Sequence, residues 1–347
     1  MKKNILFLYT ELAGYFVACI NELAKQDDVS VHVVRWPVNK EAPFQFAIDK
    51  RISIYERDAY DDTTLLEKIN SIEPDIIICS GWVDKGYVTI CKHYKGKVPT
   101  VMSMDNQWHG NLKQRLACLA APFKLHTVFS QAWVPGEPQK AYAHKLGFKE
   151  VETGFYCADT KVFKPLGQEK LKEGSAIPKR LLYVGRYIPQ KGIDKLFEAF
   201  LELQEEGLTD WELHCLGMGD LFDERPIHEK IHHHGFVQPA DMHQYLKITG
   251  VFVLPSDFEP WGVVTHEMAV AGFPMVISSA VGSATMFLED GKNGYLFQQG
   301  SKDALKDALK CMMQANDSDL RDMATASFEK GMSWTPERWV ETLIRMI

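Results

Sequence analysis

Short apolar runs recur along this chain, each followed by a longer stretch whose apolar residues fall three and four apart. In the first half the runs are NILFLY, VSVHVVRW, RISIYE, Asp75 to Cys79, VPTVMSM and VETGFY. Runs of this length without strict alternation read as strands buried on both faces of a parallel sheet. The intervening periodicity predicts helices at 14–25, 63–72, 85–93 and 138–146. From Lys161 to Lys179 the apolar rhythm lapses. Pro165, Gly167, Gly174 and Pro178 stand there among lysines, so the segment reads as a linker. A second series follows: RLLYVG, a helix over 193–204, WELHCLG, a helical stretch after Gly219, HHGFV, a helix over 240–247, and the run Val251 to Leu254. Helices at 302–314 and 319–330 close it, and 335–347 places Trp339, Leu343, Ile344 and Ile347 on one helical face. The repeated strand–helix order predicts an α/β protein of two doubly wound, Rossmann-like domains.

Composition changes this picture little. At 347 residues, with 46% apolar and 24% charged residues, the chain is long enough for two globular domains and shows no pull toward disorder. A net charge of −7 argues against nucleic acid as the main partner. The seven cysteines are scattered, with no metal-ligand spacing, as in a reducing cytosol. The opening apolar run is too short for a secretion signal, and no segment reaches the ~20 apolar residues of a membrane span. The expected location is cytoplasmic.

Chemistry concentrates after Leu254. The turn SDFEPWG separates that run from a helix in which Val263, Val264, Glu267, Met268, Val270 and Ala271 recur before Gly272 stops it. A helix N-terminus offers unpaired N–H groups and a partial positive charge, which suit phosphate. The carboxylates of Glu259 and Glu267 accept hydrogen bonds only, which suits hydroxyls. Together they suit a ligand that carries both phosphate and polyol. Earlier, Gly185-Arg186-Tyr187-Ile188-Pro189-Gln190-Lys191-Gly192 follows the first strand of the second series. Two cations separated by a turn can hold the two phosphates of a diphosphate.

In these residues the chain resembles the retaining glycosyltransferases of family 4. Glu259 and Glu267 match that family's E-x7-E motif in its E-P-[FW]-G wording, continued by a glycine-containing turn and the N-G-x-L-[FV] strand at Asn293-Gly294. Gly185 to Gly192 matches its G-R-x4-K-G motif. The resemblance implies the GT-B architecture, two doubly wound Rossmann-like domains facing across a cleft. It gives an acceptor-side domain at 1–164, to which the helix 335–347 crosses back, and a donor domain at 165–334. It implies a metal-independent transferase that moves a hexose from a nucleotide diphosphate sugar to a sugar or lipid-linked acceptor, in polysaccharide or glycoconjugate synthesis, with no cofactor. By the same token Arg186 and Lys191 bind the diphosphate, Glu259 the sugar and Glu267 the ribose. Pro260, Trp261 and Gly262 line the turn, Gly217 of the short Gly217-Met218-Gly219 turn lies beside the nucleotide, and Phe236-Val237 reads the base.

The first half is less explicit. Gly14, in Thr10 to Tyr15, stands where the family has a glycine-rich loop near the donor phosphate, and a core-turn glycine is an equal reading. Many members carry a histidine at the end of the strand VPTVMSM. Here Met104 or Asp105 holds that point, so Asp105 is the first choice of acceptor-side polar group and His109 the second. His228, His232, His233 and His234 read as a solvated helix end rather than a metal site, because no Glu or Cys completes a ligand set. Lys113, Arg115 and Lys124 surround Leu112, Leu116, Leu119 and Phe123 on a helix. A half-buried domain helix explains them more simply than a peripheral contact at the inner membrane face. Two other readings compete: a catalytically silent donor-binding subunit, and another GT-B enzyme such as a sugar-nucleotide epimerase.

Overall fold

The computed structural model describes residues 2–37, 46–238 and 241–347. By internal contacts the chain divides into two compact units, Met1–Asp159 with Trp334–Ile347, and Thr160–Ser333.

The first unit contains β1 (Lys3–Tyr9), α1 (Gly14–Leu23), β2 (Val29–Arg35), β3 (Ile52–Glu56), α2 (Asp62–Ile72), β4 (Ile76–Cys79), α3 (Lys85–Tyr94), β5 (Thr100–Ser103), α4 (Leu112–Lys124), β6 (Gln131–Trp133), α5 (Glu137–Lys145) and β7 (Val151–Glu152). Its strands form one parallel sheet in the order β3-β2-β1-β4-β5-β6-β7. Alternation along β1 explains the unbroken apolar run: Leu6 and Leu8 enter one core cluster, Ile5, Phe7 and Tyr9 the other. The VETGFY run yields only two strand residues before the chain leaves the sheet.

The second unit contains α6 (Thr160–Lys170), β8 (Arg180–Val184), α7 (Ile193–Glu205), β9 (Glu212–Leu216), β10 (Ile231–His233), α8 (Met242–Ile248), β11 (Val251–Leu254), α9 (Val263–Val270), β12 (Met275–Ser278), α10 (Ala284–Phe287), β13 (Gly294–Phe297), α11 (Lys302–Gln314) and α12 (Asp317–Met332). Its parallel sheet runs β10-β9-β8-β11-β12-β13, the doubly wound order with one reversal between β8 and β11. The closing helix α13 (Pro336–Arg345) belongs to the first unit. There Trp339 lies 4.7 Å from the Trp133 ring and donates its indole N–H to the Phe155 carbonyl at 2.8 Å. Ile344, expected on the buried face, is 41% exposed.

Three sequence expectations change. The supposed linker folds as α6 over its first part, with Phe163 buried and the Lys170 ammonium donating to the Thr249 carbonyl at 2.6 Å. Apolar positions there were masked by Pro165 and Gly167, both of which sit inside the helix. The stretch after Gly219 is turns, not helix. The HHGFV strand is instead Ile231–His233. Of the helix expected from Ala240, that first residue lies outside the described residues.

Candidate functional site

In a doubly wound sheet, ligands gather beyond the carboxyl ends of the strands where the order reverses. In the second unit that point lies between β8 and β11, paired at Leu181–Val251 and Leu182–Phe252. The two motif loops leave from these two strands. Gly185 to Gly192 follows β8, and Ser256 to Gly262 follows β11.

Backbone and side chains join the loops. The N–H groups of Asp257 and Phe258 donate to the Gln190 carbonyl at 2.9 and 3.3 Å. Gly192, at φ +62°, caps α7, and a Cβ there would stand 2.3 Å from the Pro255 carbonyl oxygen, so only glycine fits. The Lys191 ammonium donates to the Glu259 carboxylate, and the two side chains are only 17% and 13% exposed. Lys195 pairs with Asp257 in the same way. Arg186 is exposed, while its carbonyl accepts from the buried Tyr183 hydroxyl at 2.7 Å. Burial pushes that tyrosine's pKa well above its ordinary value, and the charge of Glu259 adds to the rise.

The turn itself is tightly held. Glu259 and Trp261 carbonyls accept from Gly282 and Ser283 at 3.2 and 2.9 Å, and Ser283 donates its hydroxyl to the Gly262 carbonyl at 2.8 Å. Gly262, at φ +84°, is the N-cap of α9 and lends no side chain to its first N–H groups. Pro260 is half-buried and Trp261 buried. Buried polar atoms without a protein partner concentrate here: Ser256 Oγ, Asp257 Oδ1, Trp261 Nε1 and Thr265 Oγ1. Such groups are ordinarily satisfied by water or ligand. Glu267 is half-buried on α9, four residues past its first residue. Beside it His266, which the sequence did not single out, is fully buried, stacks on Phe287 at 4.0 Å, and bonds the Gly331 carbonyl at 2.9 Å.

Gly217 lies beyond β9, against the β8 loop. A Cβ there would stand 1.8 Å from the Gly185 carbonyl oxygen, and its φ is +141°. Its N–H donates to the Gly235 carbonyl at 2.7 Å, which draws in the next turn. Phe236 follows, 55% exposed, with Val237 half-buried. One loop cluster at the carboxyl edge of one sheet thus holds Arg186, Lys191, Gly217, Phe236, Glu259 and the start of α9.

In the first unit Gly14 opens α1, and among the described residues a Cβ there would meet Phe46 at 3.6 Å, an ordinary van der Waals contact. Asp105 follows β5, and its carbonyl accepts from Gln139 at 3.2 Å. Its charge also raises the Tyr156 pKa, after burial and Tyr15, whose ring lies 5.1 Å from that of Tyr156. These two tyrosines gave no motif in sequence. His109 is exposed, and its backbone N–H donates to Gln114 Oε1 at 2.7 Å.

Helix α4 departs from the half-buried expectation. Leu112, Leu116, Leu119 and Phe123 are 73%, 56%, 74% and 81% exposed, and Ala121 is its one buried residue. Among the described residues no helix is long and apolar enough to cross a membrane.

The histidines also depart. His232 and His233 lie on β10, not on a helix. His232 stands in register with His214 of β9, a residue outside the sequence cluster. Glu212, one strand period before His214, faces both: Nε2 of His214 and of His232 lie 3.3 and 3.6 Å from its Oε2. Burial lowers the His214 pKa to about 4, so its imidazole is neutral near pH 7. His228 accepts from the Lys230 N–H at 3.1 Å, in a turn.

Known proteins share this organisation. The family model for glycosyl transferases group 1 matches residues 168–329. An uncharacterized glycosyltransferase of Methanocaldococcus jannaschii is 33% identical over 123 residues, which are 33% of this chain and 31% of that protein. The match therefore spans under a third of that relative. A glycosyltransferase structure from Rickettsia africae superposes with a TM-score of 0.75 at 14% identity, over 99% of this chain and 97% of that one. Anabaena HepE, solved in complex with UDP, gives 0.71 at 16% identity over 99% of each chain. The two doubly wound units are those of the GT-B fold. The family match lies within Thr160–Ser333 and covers nearly all of it, so the second unit is similar to the glycosyl transferases group 1 family.

Proposed function

We propose that the chain is a retaining, metal-independent glycosyltransferase that moves a hexose from a nucleotide diphosphate sugar to an acceptor hydroxyl. The observation that carries this reading is the ion pair of Lys191 and Glu259, which brings the diphosphate loop and the sugar-side turn together at the switch point. Arg186 and Lys191 stabilise the diphosphate as charge grows on it. Glu259 accepts from sugar hydroxyls and Glu267 from the ribose diol. The N–H groups at the start of α9 assist the phosphates, and the base lies toward Phe236 and Val237. Bond cleavage leaves an oxocarbenium-like sugar. The resemblance implies same-face attack, with the departing phosphate taking the acceptor proton. In the first unit Asp105, with His109 second, is the acceptor-side polar group. The UDP in the HepE structure makes a uridine donor the first to test.

The exposed apolar face of α4, with Lys113, Arg115 and Lys124 on the same helix, supports a peripheral contact with an anionic cytoplasmic leaflet and a lipid-linked acceptor. Leu119→Ser with Phe123→Ser should abolish co-sedimentation with phosphatidylserine vesicles and leave the melting temperature unchanged. Equal sedimentation of variant and wild type would remove this contact.

The transferase reading is tested by a thermal-shift screen of UDP-, GDP- and ADP-sugars, followed by donor consumption with and without acceptors after chelation. Stabilisation by one donor, turnover that survives chelation, and product with the donor's anomeric configuration are expected. Inverted product would refute retention. Donor binding with no consumption under any acceptor would favour a silent donor-binding subunit.

A further inference from the structure

Parallel pairing of β9 and β10 places side chains of like parity on one face of the sheet. Leu213, Cys215 and Ile231 turn to one face and enter the core of the second unit. Glu212, His214 and His232 fall on the opposite face, and His234 continues the row. Their ligand atoms cluster: those of Glu212, His214 and His232 all lie within 4.8 Å of one another. The two closest separations, 3.3 and 3.6 Å from the Glu212 Oε2 to the two Nε2 atoms, are near the edge of a tetrahedron built on bonds of about 2.0–2.1 Å.

The surroundings complete a metal-binding arrangement. A ligating histidine uses one ring nitrogen and donates its other N–H to a fixed partner. His214 Nδ1 lies 3.0 Å from His234 Nε2, so His234 can accept that proton while Nε2 of His214 faces Glu212. The His234 ring lies 4.5 Å from that of Tyr245 on α8, which holds it. Arg180 donates Nε–H to Glu212 Oε2 at 2.8 Å, the hydrogen bond that ligating carboxylates ordinarily receive. His214 is buried and His232 is half-buried, which leaves the third side of the cluster open to solvent.

We propose that Glu212, His214 and His232 form a binding site for a divalent transition cation of the zinc class, with His234 and Arg180 as outer partners and water in the remaining position. Two imidazoles and a carboxylate suit zinc over calcium or magnesium, whose sites are built from oxygen. The site is a clip. β10 is a three-residue edge strand that, among the described residues, pairs in the sheet with β9 alone, and a cation shared between them fastens it. The clip also steadies the turn that begins at Gly235, whose carbonyl receives the Gly217 N–H. Nothing in this inference depends on the transferase reading.

The test uses tag-free full chain, stripped with EDTA and freed of chelator, titrated with Zn2+ by calorimetry and followed by thermal melting. One equivalent should bind, and saturating zinc should raise the melting temperature. His232→Ala and Glu212→Gln, at incompletely buried positions, should each weaken zinc by roughly 100-fold or more, beyond the 10–100-fold typical of outer partners. His234→Ala should fall in that outer range. In Co2+ the wild type should show the strong visible bands of a four-coordinate ion, and His232→Ala should not. Melting of the zinc-free variants near the zinc-free wild type would show that they fold. No zinc binding by the wild type, or equal binding by His232→Ala and Glu212→Gln, would overturn the site and leave a hydrogen-bonded histidine cluster.

Discussion

Lys191 and Glu259 make the sharpest mechanical prediction, because each is nearly buried and each lies on a different motif loop. Exposed ion pairs contribute about 0–1 kcal/mol, whereas removing one partner of a fully buried pair costs about 3–5 kcal/mol. Side-chain exposures of 17% and 13% put this pair near the buried limit. Lys191→Met, which removes the ammonium from the Glu259 carboxylate, should therefore cost about 2–3 kcal/mol. For a unit of this size 1 kcal/mol moves the melting temperature by roughly 2–4 °C, so a fall of about 4–12 °C is expected. Adding Glu259→Gln to Lys191→Met should restore most of it, because the carboxylate that lost its ammonium is then neutral. The coupling read from the cycle should be about 1–3 kcal/mol. Scanning calorimetry suits the measurement, since two units can melt as separate transitions. If Lys191→Met melts with the wild type, or the double variant is no more stable than the single, the pair does not join the loops.

The same pair predicts a split in ligand binding. A diphosphate must draw Lys191 away from Glu259, so Glu259→Gln should bind nucleoside diphosphate at least as well as wild type while losing donor turnover. Lys191→Met should bind it more weakly by about 1.5–3 kcal/mol, the worth of a hydrogen bond to a charged group. Loss of bare diphosphate by Glu259→Gln would reverse the proposed donor orientation.

Arg186→Ala should lower turnover by about 2–4 kcal/mol of barrier, the range for one preorganised stabilising group, and near-wild-type rates would remove that loop from catalysis. Glu267→Gln should weaken donor and free nucleoside diphosphate alike by roughly 1–2 kcal/mol, measured by calorimetry; an effect on donor alone would move Glu267 from ribose to sugar. Burial lowers the Lys170 pKa to about 7 from 10.5. Between those values the unfolded chain binds the proton that the folded chain releases, so stability relative to Lys170→Met should rise from pH 7 toward 10.5. A flat difference in melting temperature across that range would show that the Thr249 carbonyl and the Phe273 ring, 3.9 Å below the ammonium, keep it charged throughout.

Much of the fold was legible because both sheets are parallel and buried on two faces, so their strands are short and nearly all apolar. Val251–Leu254 and Ile76–Cys79 show this, every residue being buried. The motif loops were legible for a related reason: each follows such a strand, and glycine positions such as Gly192 tolerate no side chain. Exposure on α4 was not legible. Leucines three and four apart read as a core stripe, and nothing in the spacing of Leu112, Leu116 and Leu119 reveals that all three are exposed. The α6 segment failed in the opposite sense. Proline and glycine are poor helix formers, yet Phe163 is buried in the second unit, and packing outweighed propensity there.

The histidine row shows where one-dimensional reading stops. Read as a helix, HHH at 232–234 offers ligands pointing in several directions and lacks a carboxylate. As a strand it sends His232 and His234 to one face and His233 to the other, where its ring packs 5.4 Å from Phe197. The missing carboxylate is Glu212, twenty residues upstream, and it arrives only because His232 pairs with His214. A one-residue slip would set His233 beside His214 and turn His232 into the core. The core itself forbids that slip, since Ile231 and His233 are packed among apolar side chains on one face. The same apolar packing that fixes the edge strand therefore assembles the polar cluster on its other side, and no count of spacings along the chain contains that pairing.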